Sequence, residues 1–423
     1  MDNIFNFEGI EINQELLKRT NPIFTTAKMT LFQLAAAGHD DAKTLAEKLN
    51  LTQKDTQNSA TVNVDKDDLF VNSIIMDVRY FTNGKLARQS GLTVFDLPCG
   101  FTPRAIEFAK SGRKYVGMDL PATINEVEPA VMSLLDEEQK KLVSFEGVDA
   151  TNYHSLKSAF DKIDGEVCIT TEGLMMYLTD REMDAMCDNI KRILKEHGGY
   201  WITLDPEISF LYVLIVKAFY GDRTREKMYE AKYRIQDKSD VTVVDNTITI
   251  SLRGNVQENI KNALNYIKSK GFKLERLPYA DHIPEFKSLE NIDPEIAEHI
   301  KEGLKRVCIW KISVDESENV DISDSETESF NADASVDCDR LNLALSGNLD
   351  SLSAPELLAN YEKIKKDYSL KSVLIDCSKL GYVSSAGLRV LLMMQDDCDD
   401  GIIMESCNES VIEVVSDTDI QVI

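Results

Sequence analysis

Two stretches of this chain alternate short apolar, β-branched runs with segments of helical period, and this alternation restricts the fold more than any other feature. The runs of the longer stretch are LTVFDL, KYVGMDL, LVSFEGVD, EVCITTEG and GYWITLD. Alternating strands and helices build a parallel sheet with helices on both faces. The sequence therefore predicts an α/β fold, in which FKLERLPY and RVCIWKIS form a pair of edge strands that close the sheet.

An acidic stretch separates the two alternating regions. Residues 314–337 are rich in Asp, Glu and Ser and have almost no bulky apolar side chains. This composition predicts a solvated linker, whose latter part pairs as the first strand of the domain that follows. The predicted organisation is a helical segment at 1–85, an α/β domain at 86–314, a linker at 315–327 and a smaller α/β domain at 328–423.

Two shorter patterns predict additional local structure, one in the helical segment and one in the larger α/β domain. Within the first 85 residues, AAAGHDDAKTLAEKLNLT has a helix-turn-helix-like pattern, for which a helical cap or a dimerisation segment is the favoured interpretation. VTVVDNTITISL, with Asp245 and Asn246 at its turn, predicts an additional hairpin.

Charge and cysteine content limit the classes of partner and compartment. Lys and Arg total 47 against 72 Asp and Glu, a net charge of -25 that would repel nucleic acid and anionic lipid. The eight cysteines show no CxxC pair and no metal-ligand spacing with histidine, which favours reduced thiols in the cytoplasm and no metal site. ISFLYVLIVKAFYG is too short to span a membrane, and the N-terminus lacks the pattern of a signal peptide.

Acidic residues follow several predicted strands at the positions where those strands end. Asp96 opens the turn DLPCGFTPR, which lacks the G-x-G-x-x-G spacing of a dinucleotide site and so favours a nucleoside-like cofactor without phosphates. Asp119 ends the second strand 23 positions later, close to the interval at which an acid binds ribose hydroxyls. Asp149 ends the third strand, where it either accepts from an adenine amine or caps a helix. Glu172 follows the fourth.

The order DLPCGFTPR, MDLP, GVD and EGLMMYLTDREM resembles the class I S-adenosylmethionine-dependent methyltransferases, and EGLMMYL resembles the leucine carboxyl methyltransferase family. The resemblance spans roughly residues 75–314 and implies a Rossmann-like, seven-stranded sheet with a terminal antiparallel pair. It implies Gly100 near the methionine part of the cofactor, Asp119 at the ribose, Asp149 at the adenine and Arg79 at the carboxylate. The full implied cofactor-binding set is Arg79, Asp96, Pro98, Gly100, Asp119, Leu120, Asp149, Ala150 and Glu172.

The implied catalytic residues are Glu172 and Tyr177, which would line the methyl-transfer face. A carboxylate acceptor needs little more than in-line positioning, whereas a hydroxyl acceptor needs a base, for which Glu172 is the candidate. A D-P-P-Y loop of the nucleic-acid amino-methyltransferases is absent after the fourth strand, so a small molecule or a protein is the expected acceptor. The apolar segment from Ile208 either covers the substrate or packs as a buried helix.

In the second alternating region, LIDCSKLGYVSSAGLRVLLMM places Ser384 and Ser385 between a buried strand and an apolar helix. One of these serines could simply cap the helix. Together with Gly347-Asn348-Leu349-Asp350, however, residues 328–423 resemble the STAS domain of anti-sigma factor antagonists. The resemblance implies a small α/β fold, a partner kinase or anti-sigma factor, and phosphorylation of Ser385, with Ser384 where many members carry Asp.

The leading hypothesis is a bacterial, cytoplasmic O-methyltransferase that uses S-adenosylmethionine and carries a regulatory STAS module. The alternative is a signalling scaffold with a degenerate first domain. Pro98 and Thr102 favour the alternative, because they depart from the turn that the methyltransferase family commonly has.

Overall fold

The structure is a computed structural model of the 423-residue chain, and it describes residues 3–5, 12–21, 24–51, 66–228, 246–249, 255–282, 287–290, 292–315, 329–416 and 418–423. Two compact units are present: one runs from Ile23 to Val320, and the other combines Met1–Pro22 with Asp321–Ile423. The predicted segment 1–85 is therefore divided between the units. Most of the predicted linker and of the hairpin VTVVDNTITISL lies outside the described residues.

The larger unit is built on a seven-stranded sheet. Its strands are β1 (Thr93–Asp96), β2 (Tyr115–Asp119), β3 (Val143–Gly147), β4 (Val167–Thr171), β5 (Gly199–Thr203), β6 (Phe272–Pro278) and β7 (Cys308–Val314). The order is β3-β2-β1-β4-β5-β7-β6, in which β7 runs antiparallel to β5 and β6 and the other pairs are parallel. This arrangement confirms the Rossmann-like sheet with its antiparallel end.

Helices cover this sheet, since its central strands are buried on both faces. Numbered along the chain after α1, which belongs to the smaller unit, the helices of the larger unit are α2 (Phe24–Ala36), α3 (Asp40–Lys48), α4 (Lys66–Gln89), α5 (Arg104–Lys110), α6 (Pro121–Met132), α7 (Glu137–Lys140), α8 (Tyr153–Phe160), α9 (Asp180–His197), α10 (Ile208–Tyr220), α11 (Val256–Ser269), α12 (Lys287–Glu290) and α13 (Pro294–Leu304).

Helix α10 contains the apolar segment for which the sequence left two interpretations. It contacts α4 and α13 and buries Leu211, Ile215 and Val216. The segment therefore packs as a helix against other helices of this unit, and its place over a substrate stays a prediction. Among the described helices, none combines the length and the apolar character that crossing a membrane requires.

The smaller unit has a five-stranded sheet in the order β12-β11-β10-β9-β8. Its elements are α1 (Gln14–Thr20), β8 (Asn331–Asp337), β9 (Arg340–Leu349), α14 (Ser353–Asp367), β10 (Ser372–Val383), α15 (Ser385–Asp397), β11 (Ile402–Glu405), α16 (Glu409–Val415) and β12 (Gln421–Val422). Strand β8 is antiparallel to β9, which confirms that the end of the acidic stretch pairs as a first strand.

The N-terminal residues are part of this smaller unit. The backbone N–H of Ile4 donates to the carbonyl of Ala334 on β8 at 3.0 Å. Phe5 and Leu16 are buried in the same apolar core as the strands of the STAS-like sheet. Both ends of the chain are thus needed to build one unit.

Candidate functional site

The order of the large sheet reverses between β1 and β4, which pair with Asp96 opposite Thr170. Ligands of open α/β sheets bind outside the carboxyl ends of the strands at such a point. Five neighbouring strands, β3, β2, β1, β4 and β5, are followed or ended by an acid at this edge. These acids are Asp149, Asp119, Asp96, Glu172 and Asp205.

The glycine turn lies directly on this edge. The backbone N–H of Leu97 donates to the carbonyl of Thr170, and that of Cys99 donates to the carbonyl of Met118, so the turn is held between β4 and β2. Gly100 has a φ of +54°, a conformation that glycine adopts at little cost. Pro98 lies in the same turn, after a cis peptide bond with Leu97.

Asp119 is bound to this turn through its carboxylate. Its two oxygens accept from the N–H of Gly100 at 2.9 Å and from the N–H of Leu120 at 2.7 Å. The side chain is buried, and burial raises the pKa of Asp119 to about 6, although hydrogen bonds from the Gly100 and Leu120 backbone and from Thr123 oppose this rise. The predicted pair Gly100 and Asp119 is therefore in direct contact.

Arg104, which is not among the residues predicted from the sequence, links two of the predicted acids. Its Nη1 donates to both oxygens of Asp96 at 2.9 and 2.8 Å, and its Nη2 donates to Glu172 Oε2 at 2.7 Å. The hydroxyl of Tyr115 donates to Asp96 at 2.7 Å, and the guanidinium lies 4.6 Å from the centre of the Tyr80 ring. Arg104 is only 1% exposed, so this ion pairing is shielded from bulk solvent.

Glu172 receives further donors from α4. Arg79 Nε donates to its Oε1 at 2.7 Å, and Asn83 Nδ2 donates to its Oε2 at 3.1 Å. Burial alone would raise the pKa of Glu172, but the guanidinium groups of Arg104 and Arg79 outweigh it and hold that pKa at about 2. Glu172 is thus a fully ionised and well-paired carboxylate.

Asp205 holds the segment that follows Glu172. Its carboxylate accepts from the backbone N–H groups of Gly173, Leu174 and Met175 at 2.7, 2.9 and 3.0 Å. Asp205 ends the predicted strand GYWITLD, and the sequence alone indicates no role for it. Tyr177 lies within the same segment, half-buried in a 3₁₀ turn formed by Met175–Tyr177.

Asp149 and Ala150 lie beyond β3, two strands from the turn. The Asp149 carboxylate accepts from the backbone N–H and the hydroxyl of Thr151, at 2.8 and 2.7 Å. The side chain that caps α8 is that of Asn152, which accepts from the N–H of Ser155. The alternative that Asp149 caps this helix is therefore wrong.

Several buried polar atoms near Glu172 have no hydrogen-bond partner in the structure. They are Asn83 Oδ1, Arg104 Nε and the hydroxyls of Tyr80 and Tyr279. Among the described residues, Arg79 makes its hydrogen bond through Nε and none through its two Nη atoms. Buried donors and acceptors usually find a partner, so this cluster has unused capacity for a polar ligand or water.

In the smaller unit, the predicted serine motif begins helix α15. Ser384 is buried, and its hydroxyl accepts from the N–H of Gly387 at 3.2 Å, which confirms the capping interpretation for this residue. A Cβ at Gly387 would lie 2.5 Å from the carbonyl oxygen of Leu349, so glycine is required for this close approach. Ser385 is the first residue of the helix and is exposed to solvent.

Comparison with known families and structures gives a family match in the smaller unit. Residues 333–413 match the family model described as Mlab, STAS domain, which confirms the predicted domain in this region. No curated protein matches the chain. Among the solved structures that match is human N-acetylserotonin methyltransferase in complex with SAM. It is 12% identical, the match covers 63% of this chain and 68% of that one, and the TM-score is 0.29. The chain thus joins a Rossmann-like, seven-stranded sheet to a C-terminal region that matches the STAS family model.

Proposed function

We propose that the larger unit binds S-adenosylmethionine and transfers its methyl group to an acceptor that is already ionised, and that the STAS domain regulates this activity. One observation carries the proposal: acids from neighbouring strand ends converge where the strand order reverses, and buried polar atoms of the residues packed beside Glu172 have unused hydrogen-bonding capacity. The resemblance of the strand-end motifs to class I methyltransferases supports the same assignment.

The residues present fit the polar parts of this cofactor. Both Nη atoms of Arg79 are available to bind the methionine carboxylate, and Asn83 Oδ1 is a suitable acceptor for the ammonium group. The Asp119 carboxylate accepts from the N–H groups of Gly100 and Leu120 and from Thr123, and its two oxygens together can accept about four hydrogen bonds, so it can accept a further one from a ribose hydroxyl. Gly100 and Pro98 would lie near the methionine part, and Leu120, Asp149 and Ala150 near the ribose and adenine.

When bound, S-adenosylmethionine supplies an electrophilic methyl group on a sulfonium ion. The protein must then position the acceptor in line with that group. Glu172 is a poor general base, because a carboxylate with a pKa of about 2 takes a proton from a hydroxyl only very inefficiently. We therefore favour a carboxylate of a small molecule or a protein as the acceptor, with Glu172 and Tyr177 lining its site.

The STAS domain would act through Ser385. Phosphorylation at this exposed position adds about -1.5 to -2 charges at the start of α15, which would repel an acidic partner or recruit an arginine. Ser384 is unsuited to this role, since it is buried and bound to Gly387. Intact mass after incubation with an anti-sigma factor kinase, with Ser385→Ala as the control, tests this role.

Calorimetric titration of the full chain with S-adenosylmethionine tests the enzyme proposal. We expect saturable binding that is lost in Asp119→Ala and retained in Glu138→Ala, a control acid that is exposed on the same unit and pairs only with Lys141 among the described residues. Tryptophan fluorescence reports whether each variant is folded, because both tryptophans, Trp201 and Trp310, are buried in the larger unit.

A second function, a signalling scaffold that binds no cofactor, is favoured by one observation. Arg104 bridges Asp96 and Glu172, so the acids at the reversal point are already satisfied by the protein itself. A folded full chain that shows neither heat nor a thermal shift with S-adenosylmethionine would support the scaffold and contradict the enzyme.

A further inference from the structure

Strand β8 lies at one edge of the five-stranded sheet, and residues 3–5 of the same unit occupy that edge. An edge strand presents a row of backbone N–H and C=O groups that can pair with another chain. On its inner side, β8 pairs with β9 along its whole length, from Asn331 to Asp337. The register of β8 is therefore set by β9, and residues 3–5 are an addition to its outer side.

The side chain of Asn3 binds β8 as a backbone peptide group would. Its Nδ2 donates to the carbonyl of Ala332 at 3.2 Å and to Asp333 Oδ1 at 2.7 Å. Its Oδ1 accepts from the N–H of Ala334 at 2.8 Å, and the N–H of Ile4 donates to the carbonyl of Ala334 at 3.0 Å. An ionised carboxylate in place of this amide could not donate to Ala332, and it would face the carboxylate of Asp333. The contact therefore selects an amide.

Phe5 anchors the same segment in the apolar core. It is only 5% exposed, and it belongs to the same cluster of buried side chains as Leu341 and Leu343 of β9. The N–H of Phe5 donates to Asn3 Oδ1 at 3.0 Å, which fixes the position of the ring relative to the amide. Extended peptides that add to a sheet edge are recognised in this way, by backbone hydrogen bonds together with pockets for alternate side chains.

We propose that the edge of β8 and the core pocket of Phe5 form a peptide-binding site, which this chain fills with its own Asn3-Ile4-Phe5 segment. The ligand is an extended segment of a partner protein that carries Asn two residues before Phe. It makes the same hydrogen bonds to Ala332 and Ala334, and it displaces the chain's own segment. Because that segment is tethered, it competes at a high effective concentration and keeps the site closed to weak ligands.

Fluorescence anisotropy with a labelled peptide of residues 1–6, Met-Asp-Asn-Ile-Phe-Asn, tests the site. The full chain is used as the wild type and as the double variant Asn3→Ala, Phe5→Ala, whose own segment lacks the amide and the ring. We expect the peptide to bind the double variant at least about tenfold more tightly, because the competing segment is weakened. Peptides that carry Asn3→Asp or Phe5→Ser are the matched controls, and each should bind at least about tenfold more weakly than the native peptide.

Equal affinities of the two proteins for the native peptide would overturn the site, and so would control peptides that bind as well as the native one. Exchange protection of β10 reports whether the core of the smaller unit is intact in the double variant. If that protection is lost, the comparison is made with Asn3→Ala alone, which leaves Phe5 in the core. Sedimentation without peptide should give the same mass for variant and wild type. A dimer of the variant alone would show that the edge pairs with a second copy, and this would overturn the assignment to a partner peptide.

Discussion

In both units the predicted motif lies where a parallel strand leads into a helix: the glycine turn between β1 and α5, and the serine motif between β10 and α15. The polar side chains at these two places are hydrogen-bonded in different ways. In the larger unit, Asp96 at the end of β1 is paired with Arg104, the first residue of α5, and both are buried. In the smaller unit, Ser384 after β10 caps α15 with one neutral hydrogen bond, and Ser385 beside it is exposed. Substitutions should therefore affect global stability in the first unit and local opening in the second.

The largest effect is expected for Arg104→Met. The substitution leaves two buried carboxylates, Asp96 and Glu172, without their shared cation. Breaking a buried ion pair typically costs about 3–5 kcal/mol, and we expect a loss of that size in the free energy of unfolding of the larger unit. Urea titration followed by tryptophan fluorescence measures it, since Trp201 and Trp310 both belong to this unit.

Arg88→Met is the matched control for this loss. Arg88 pairs with Glu107 at 3.1 Å, but its side chain is 27% exposed, so water can replace the lost partner. We expect a change below about 1 kcal/mol. Equal losses of unfolding free energy for the two variants would contradict the prediction, because burial of the Arg104 network would then add nothing to the cost of breaking its ion pairs.

The second effect concerns pH and Glu172. Its folded-state pKa of about 2 lies below the ordinary value of 4.5, so its ionised form contributes stability that is present above pH 4.5 and lost as the pH falls towards 2. The difference between these two pKa values corresponds to about 3 kcal/mol of unfolding free energy. The stability advantage of the wild type over Glu172→Gln should shrink by that amount on acidification, and an advantage independent of pH would contradict the pairing.

Asp119 should show the opposite sign. Its folded-state pKa of about 6 lies above the ordinary 3.8, so the folded protein favours the protonated form and this contribution is lost as the pH rises through 6. Relative to Asp119→Asn, the wild type should lose about 2–3 kcal/mol between pH 4 and pH 7. Urea unfolding of both proteins across this pH range measures how the stability of the wild type relative to Asp119→Asn changes with pH. This relative stability would rise with pH, and not fall, if the backbone hydrogen bonds lowered the pKa of Asp119 by more than burial raises it.

Much of the fold could be predicted because the signals are local. Each strand and helix of the alternating regions has its own periodicity, and the strand-end acids occupy fixed places in that pattern. The roles of Arg104 and Asp205 depend on side chains meeting across the sheet, at separations of 68 residues between Arg104 and Glu172 and 32 between Gly173 and Asp205. No local pattern encodes such meetings. For the same reason, nothing near Leu16 indicates that it packs against strands more than three hundred residues away.

The smallest effect is expected at the STAS motif, where Ser384→Ala removes the cap of α15. The lost hydrogen bond to the Gly387 N–H should cost about 1 kcal/mol, which corresponds to roughly fivefold faster exchange of the first-turn amides. Ser385→Ala should leave that exchange unchanged, because its side chain is exposed and Ser384 supplies the cap. Neither variant should alter the tryptophan-detected unfolding of the larger unit. If Ser385→Ala had the larger effect on α15, the exposed serine would be a structural residue, and phosphorylation there would disrupt the helix instead of marking it for a partner.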